Sequence, residues 1–259
     1  QSILHYYKKQ LTLLQSEHKI KKNNDNNSIN NTIHIEELIN NEKLQKEIND
    51  LISLIQIQAK HIKAYNHIMS FLNVTIRKCL GGLAYAINTF ALKTNLYGSG
   101  IDVSVCFSLA NQETWAAKLV SALSYDTCIN NATAVYQNKI KEIKVQFNNL
   151  PSETIVSCYI GDIKVTMNSN NVTALGEITL CELIDRKIGK QHLFKKTLLL
   201  LSSWCTKNGL LKSGYLSHSF LRTIAMYIYN AYHEDITTPL HGFLKILHYI
   251  SQFNWHQHA

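Results

Sequence analysis

The chain has 259 residues, 46% hydrophobic and 17% charged, an ordinary globular balance with a core large enough for one or two domains. Twenty-six Lys and Arg against 18 Asp and Glu leave a formal charge of +8, which suits a polyanion such as RNA, although many basic domains bind none. Six scattered cysteines without a CxxC pair (Cys79, Cys106, Cys128, Cys158, Cys181, Cys205) argue against structural zinc and for a reducing compartment.

In chain order, Ser2 to Lys22 reads as a short amphipathic helix without the apolar core of a signal peptide. Asn23 to Asn31 is almost all asparagine; it cannot bury apolar area and is expected to be a loop. Ile35 to Leu80 carries apolar residues at helical spacing (Leu38, Ile39, Leu44, Ile48, Leu51, Ile52, Ile55), predicting one or two long helices that Gly81-Gly82 end. Ile55, Ile57 and Ile62 are expected to be exposed there and to offer a surface to a protein partner.

The period then changes. Val103 to Leu109 alternates like a half-buried strand, and Gln112 to Leu123 is helical, with Trp115, Leu119 and Leu123 on one face. Ile140 to Phe147, Thr154 to Ile160 and Ile163 to Met167 read as strands, the last two as a hairpin across Gly161-Asp162. From Cys181 the helical period returns. Its longest apolar stretch, around Leu198 to Leu201, is far too short to span a bilayer, so a soluble intracellular protein is expected.

Three stretches carry a resemblance over roughly residues 66 to 255. Leu92-Lys-Thr-Asn-Leu-Tyr-Gly-Ser-Gly-Ile-Asp-Val-Ser-Val105 is similar to the nucleotidyltransferase signature, in which a Gly-Ser turn precedes an Asp-x-Asp strand by about ten residues. Ile163 to Asn171 resembles the strand that delivers a third aspartate. The longest runs from Thr179 to Lys196 through Ser203-Trp-Cys205 and Gly214-Tyr-Leu-Ser-His-Ser219 to Pro239–Trp255. Taken in order, they resemble the DNA polymerase β-type nucleotidyltransferases of the poly(A) polymerase / oligoadenylate synthetase type, nearest the plant and protist poly(A) polymerase-like branch.

The resemblance implies an α/β (α+β) protein. Residues 66–178 would form a nucleotidyltransferase palm with a mixed sheet, and residues 179–259 a helical domain. Residues 1–65 would supply N-terminal helices packed with the helical lobe. The chain ends soon after Trp255, where active relatives often continue, so a longer parent chain is an expectation.

In the active family three carboxylates hold two Mg²⁺ ions about 3.5–4 Å apart. Carried over by position, the first carboxylate is Gly100, the second Asp102 and the third Thr166; the family's Gly-Ser turn is Asn88-Thr89, and its phosphate lysine is Ser202. Ser217 falls at a further nucleotide-contact position, and Lys195 and Lys196 could follow RNA phosphates or simply form a solvated face. Two lost ligands at roughly 3 kcal/mol each amount to about 6 kcal/mol, on the order of four decades in rate.

The sequence is therefore read as an inactive pseudoenzyme with no cofactor. It would act as a protein-interaction scaffold, with RNA as a second ligand, in an RNA-processing or ribonucleoprotein complex. The rival is an active Mg-dependent RNA 3′-terminal nucleotidyltransferase that recruits Asp126, Glu153 or Asp162 in place of a lost carboxylate. Tyr85 and Tyr97 would flank the cleft, and Trp204, Phe243, Tyr249 and Trp255 are expected to be core.

Overall fold

A computed structural model describes residues 37–129, 140–146, 154–211 and 216–253, without the side chains of residue 60 and residues 125–129. The expected helix over 2–22, the asparagine loop and Trp255 lie outside these residues. Among the described residues no helix is long and apolar enough to cross a membrane. Residues 1–47 and 48–259 form two compact units. In the first, the Asn41 side chain accepts from the Leu44 amide at 3.0 Å and so caps the start of helix α1 (Glu42–Ile55).

The second unit holds the sheet and the remaining helices. Helix α2 (Ala59–Leu80) ends on Gly81, which adopts φ +65°, a left-handed conformation open to glycine at little cost. Strand β1 (Leu83–Ile87) follows and pairs antiparallel with β2 (Ile101–Cys106). The short segment LAYAI escapes a reading by alternation, and β1 was not anticipated. A four-residue helix α3 (Asn88–Ala91) fills the β1–β2 connection. Helix α4 (Trp115–Ile129) begins three residues after Gln112, whose amide instead spans to Ser169 and Asn170 at 3.0 Å each.

Strands β3 (Ile140–Gln146), β4 (Ile155–Ile160) and β5 (Ile163–Ser169) complete a five-stranded sheet of order β1-β2-β5-β4-β3. β2 and β5 are parallel and the other pairs antiparallel, giving the mixed sheet expected. β4 and β5 form the hairpin across Gly161-Asp162, with Gly161 at φ +64°. Helices α5 (Val172–Lys187), α6 (Leu193–Lys207), α7 (His218–Tyr232) and α8 (Pro239–Gln252) follow.

The alternation of β2 and β5 sorts their side chains. Val103, Val105, Val165 and Met167 point into a buried cluster with Trp115, Leu119 and Leu123 of α4. The same cluster takes Tyr65, Ile68, Leu72, Ile76 and Leu80 from α2. The expected boundary at residue 66 therefore falls inside a continuous helix that packs on the sheet, and the one at 178/179 falls inside α5. The expected exposure of Ile57 and Ile62 is also corrected. Ile57, just before α2, is 6% exposed within the cluster, and Ile62 on α2 packs against it. Trp204 and Phe243 meet edge-to-face at 6.1 Å, joining α6 to α8.

Candidate functional site

The polar face of the sheet holds the candidate site. Alternation that sends Val103 and Val105 inward leaves Asp102 and Ser104 on the opposite face of β2, and Thr166 and Asn168 on that of β5. In the parallel register Asp102 pairs with Thr166, and in the antiparallel register Thr166 pairs with Ser157 of β4. The positions that the resemblance assigns to the second and third ligands thus lie side by side, one a carboxylate and the other a hydroxyl.

Gly100 precedes β2 at a tight point. A Cβ there would lie 2.6 Å from the Lys164 carbonyl oxygen and 3.3 Å from the Lys164 Cβ. The turn before it is pinned from below, where the Tyr65 hydroxyl donates to the Ser99 carbonyl. Position 100 therefore lacks a carboxylate and also lacks room for one without movement of β5.

Asn88 opens α3 with φ +58°. Asparagine is among the few residues other than glycine that visit this region, so the turn keeps a left-handed backbone where the resemblance implies glycine. Its side chain is committed on both ends. Asn88 Nδ2 donates to Asp102 Oδ2 at 2.9 Å, and Asn88 Oδ1 accepts from Arg222 Nη2 at 3.1 Å.

Arg222, 4% exposed on α7, also grips Glu177 of α5 with both arms of a fork, Nε to Oε1 at 2.8 Å and Nη2 to Oε2 at 3.0 Å. The Ser219 hydroxyl donates to the same carboxylate at 3.0 Å. Burial alone would raise the Glu177 carboxyl, but the bonds and charge of Arg222, with the Ser219 bond, hold it below the ordinary value. His218 is pushed below its ordinary value by burial and by the Arg222 charge, against the opposing pull of Asp102.

The other candidates lie elsewhere. Thr89 is half-buried in α3, and its carbonyl accepts from the Thr94 amide at 2.9 Å. Ser202 is buried in α6, 4% exposed. Ser217 caps α7, its hydroxyl accepting from the Phe220 amide at 3.0 Å. Lys195 is paired with Glu182 at 2.7 Å and Asp185 at 3.6 Å, its side chain 12% exposed, so its charge is largely spent inside the protein. Lys196 is half-buried on the same helix. Tyr85 and Tyr97 are exposed, and Tyr97 packs edge-on against His61 at 5.1 Å.

Of the substitute carboxylates, Asp162 sits exposed in the β4–β5 turn, while Glu153 and the Asp126 side chain lie outside the described residues. Among the described residues no group of three His, Cys, Asp or Glu side chains could hold a metal. One carboxylate already bonded to an amide, beside a neutral hydroxyl and a buried guanidinium, does not fit a pair of divalent cations. Arg222, Glu177 and Ser219 went unnoticed in the sequence. The signal available was a lone charge in each of two apolar helical runs, Phe220–Met226 and Ala174–Leu180.

Residues 188–259 match the PAP/OAS1 substrate-binding domain. Comparison with curated proteins finds no sequence match. Among solved structures, the fold is similar to a cytoplasmic RNA terminal U-transferase (TM-score 0.62, 14% identity, 82% of this chain and 72% of that one). It is also similar to the chain of the GLD-2/RNP-8 complex (0.62, 12%, 83% and 82%) and to Cid1 bound to the UTP analogue UMPNPP (0.60, 14%, 83% and 74%). By fold the chain is similar to solved nucleotidyltransferases of the poly(A)/poly(U) polymerase kind, and residues 188–259 are the part that matches the PAP/OAS1 substrate-binding domain.

Proposed function

We propose that the chain is a catalytically silent nucleotidyltransferase-like subunit that serves as a scaffold for a protein partner, with RNA as a second ligand, in an RNA-processing complex. The observation that carries this reading is the site itself. Asp102 faces Thr166 where the family chemistry calls for two carboxylates, and Gly100 has no room for the third. Transfer to a 3′ hydroxyl needs metal charge to offset the triphosphate, and Asp102, with Glu177 engaged by Arg222, cannot assemble it.

The rival, a Mg-dependent terminal transferase, draws support from the similar fold of U-transferases. It requires a replacement carboxylate, and Asp162 lies four residues from Thr166, roughly 13 Å along an extended strand, too far to share a metal. A protein partner is supported by the similar fold within the GLD-2/RNP-8 complex, and RNA by the formal charge of +8. The deciding experiment incubates the protein with an RNA primer, Mg²⁺ or Mn²⁺ and each ribonucleotide. No extension is expected; extension that vanishes in Asp102→Ala would sink the reading. Co-purification at rising salt then separates the ligands, since RNA-mediated association weakens steeply and an apolar protein interface changes little.

A further inference from the structure

We propose that Arg222 is a fixed, built-in cation that takes over the charge-balancing task of an exchangeable metal at this cleft and clasps the sheet to the helical lobe. The inference rests on reading the site as catalytically silent.

Charge comes first. Asp102 on β2 and Glu177 on α5 bring two carboxylates into one hydrogen-bonded network, and among the described residues the formal cation bonded into it is Arg222. Its fork satisfies both Glu177 oxygens, and through the Asn88 amide its charge lies two hydrogen bonds from Asp102. A guanidinium cannot be deprotonated here or washed out, so the one positive charge it sets against the two carboxylates is permanent. A fixed positive charge so close to Asp102 also opposes the arrival of a divalent cation.

Geometry comes second. Asn88 belongs to the β1 end of the sheet, whereas Arg222 and Ser219 belong to α7 and Glu177 to α5. The Asn88–Arg222 bond spans 134 residues of chain and ties the sheet to α7. Asn88 is aimed by its own left-handed backbone, and Arg222 by burial on α7 and by the Glu177 fork. In this protein the link between the sheet and α7 is made by side chains alone.

Asn88→Gly is the informative variant. It deletes both side-chain bonds while keeping a residue that accepts φ +58° without strain. Arg222→Met and Arg222→Lys accompany it, the first removing the charge and the second keeping it without the fork. Hydrogen exchange is read in α7 and β2. Asn88→Gly should speed exchange in α7 about tenfold, the loss of one charge-assisted bond. Arg222→Met should speed it more, and Arg222→Lys should fall between Met and wild type. Unchanged α7 exchange in Asn88→Gly would show that Arg222 serves only the α5–α7 pair, and the clasp would be wrong. Mn²⁺ titration of the wild type, followed by water-proton relaxation, should show no site; a site abolished by Asp102→Asn would overturn the fixed-cation assignment. These outcomes are separate from primer extension, which tests catalytic silence alone.

Discussion

Restoring a side chain at position 100 should destabilise the fold before it restores any chemistry. In Gly100→Ala the new Cβ would meet the Lys164 carbonyl oxygen at 2.6 Å, where ordinary contact is 3.4 Å or more, and the neighbour is backbone in a parallel strand pair. The strand must shift by several tenths of an ångström or more. Overpacking of this kind costs about 1–3 kcal/mol. For a protein of this size, 1 kcal/mol moves Tm by about 2–4 °C, so a drop of roughly 2–12 °C is expected. Scanning calorimetry or thermal circular dichroism measures it directly. Gly100→Asp should lose at least as much, because it adds a carboxylate to the same clash. Thr166→Asp, at a half-buried site on the open face, serves as the contrast: it adds a charge without a backbone collision. If Gly100→Ala melts at the wild-type temperature, β5 yields freely, and the steric part of the argument for a lost ligand position is wrong.

Two further predictions concern protonation. The Glu177 carboxyl is held below its ordinary value, so its contribution is present above the unfolded-state pKa and is lost as pH falls through the folded one. His218, held below its ordinary value, takes up a proton less readily in the folded than in the unfolded chain, so stability also falls as pH drops below the free-histidine range. A melting profile should decline on the acid side in both windows, Glu177→Gln flattening the lower one; an unchanged profile in that variant would remove Glu177 from the account. Burial pushes the thiols of Cys158 and Cys205 up to about 11 and that of Cys181 to about 12. At pH 8 these three should resist alkylation until the protein unfolds, and fast native labelling of any of them would contradict the packing described.

The broad architecture was legible in the sequence because it rests on local periodicity. Helical spacing up to Leu80 and after Cys181, alternation from Val103, and the Gly161-Asp162 turn each act through near neighbours in the chain. That Asp102 and Thr166 come side by side is decided by the pairing of β2 with β5, and the roles of Gly100, Asp102 and Thr166 rest on the resemblance alone. Strand β1 was missed because five residues give too short a window for alternation, and its pairing with β2 is what defines it. The expected boundary at residue 66 falls inside α2, since one helix can carry a single apolar stripe to the sheet and only packing shows where that stripe docks.

The site's charge balance was decided by tertiary structure alone. Asn88, Asp102, Glu177 and Arg222 are far apart in sequence, and nothing in their spacing predicts that one amide will bridge a carboxylate on β2 to a guanidinium on α7. Lys195 makes the same point in reverse. Sequence offers it to a phosphate, while the fold spends it on Glu182 and Asp185. A charged side chain's role depends on what the folded chain places within about 4 Å of it, and that distance is set by the crossing of elements, which local sequence does not encode.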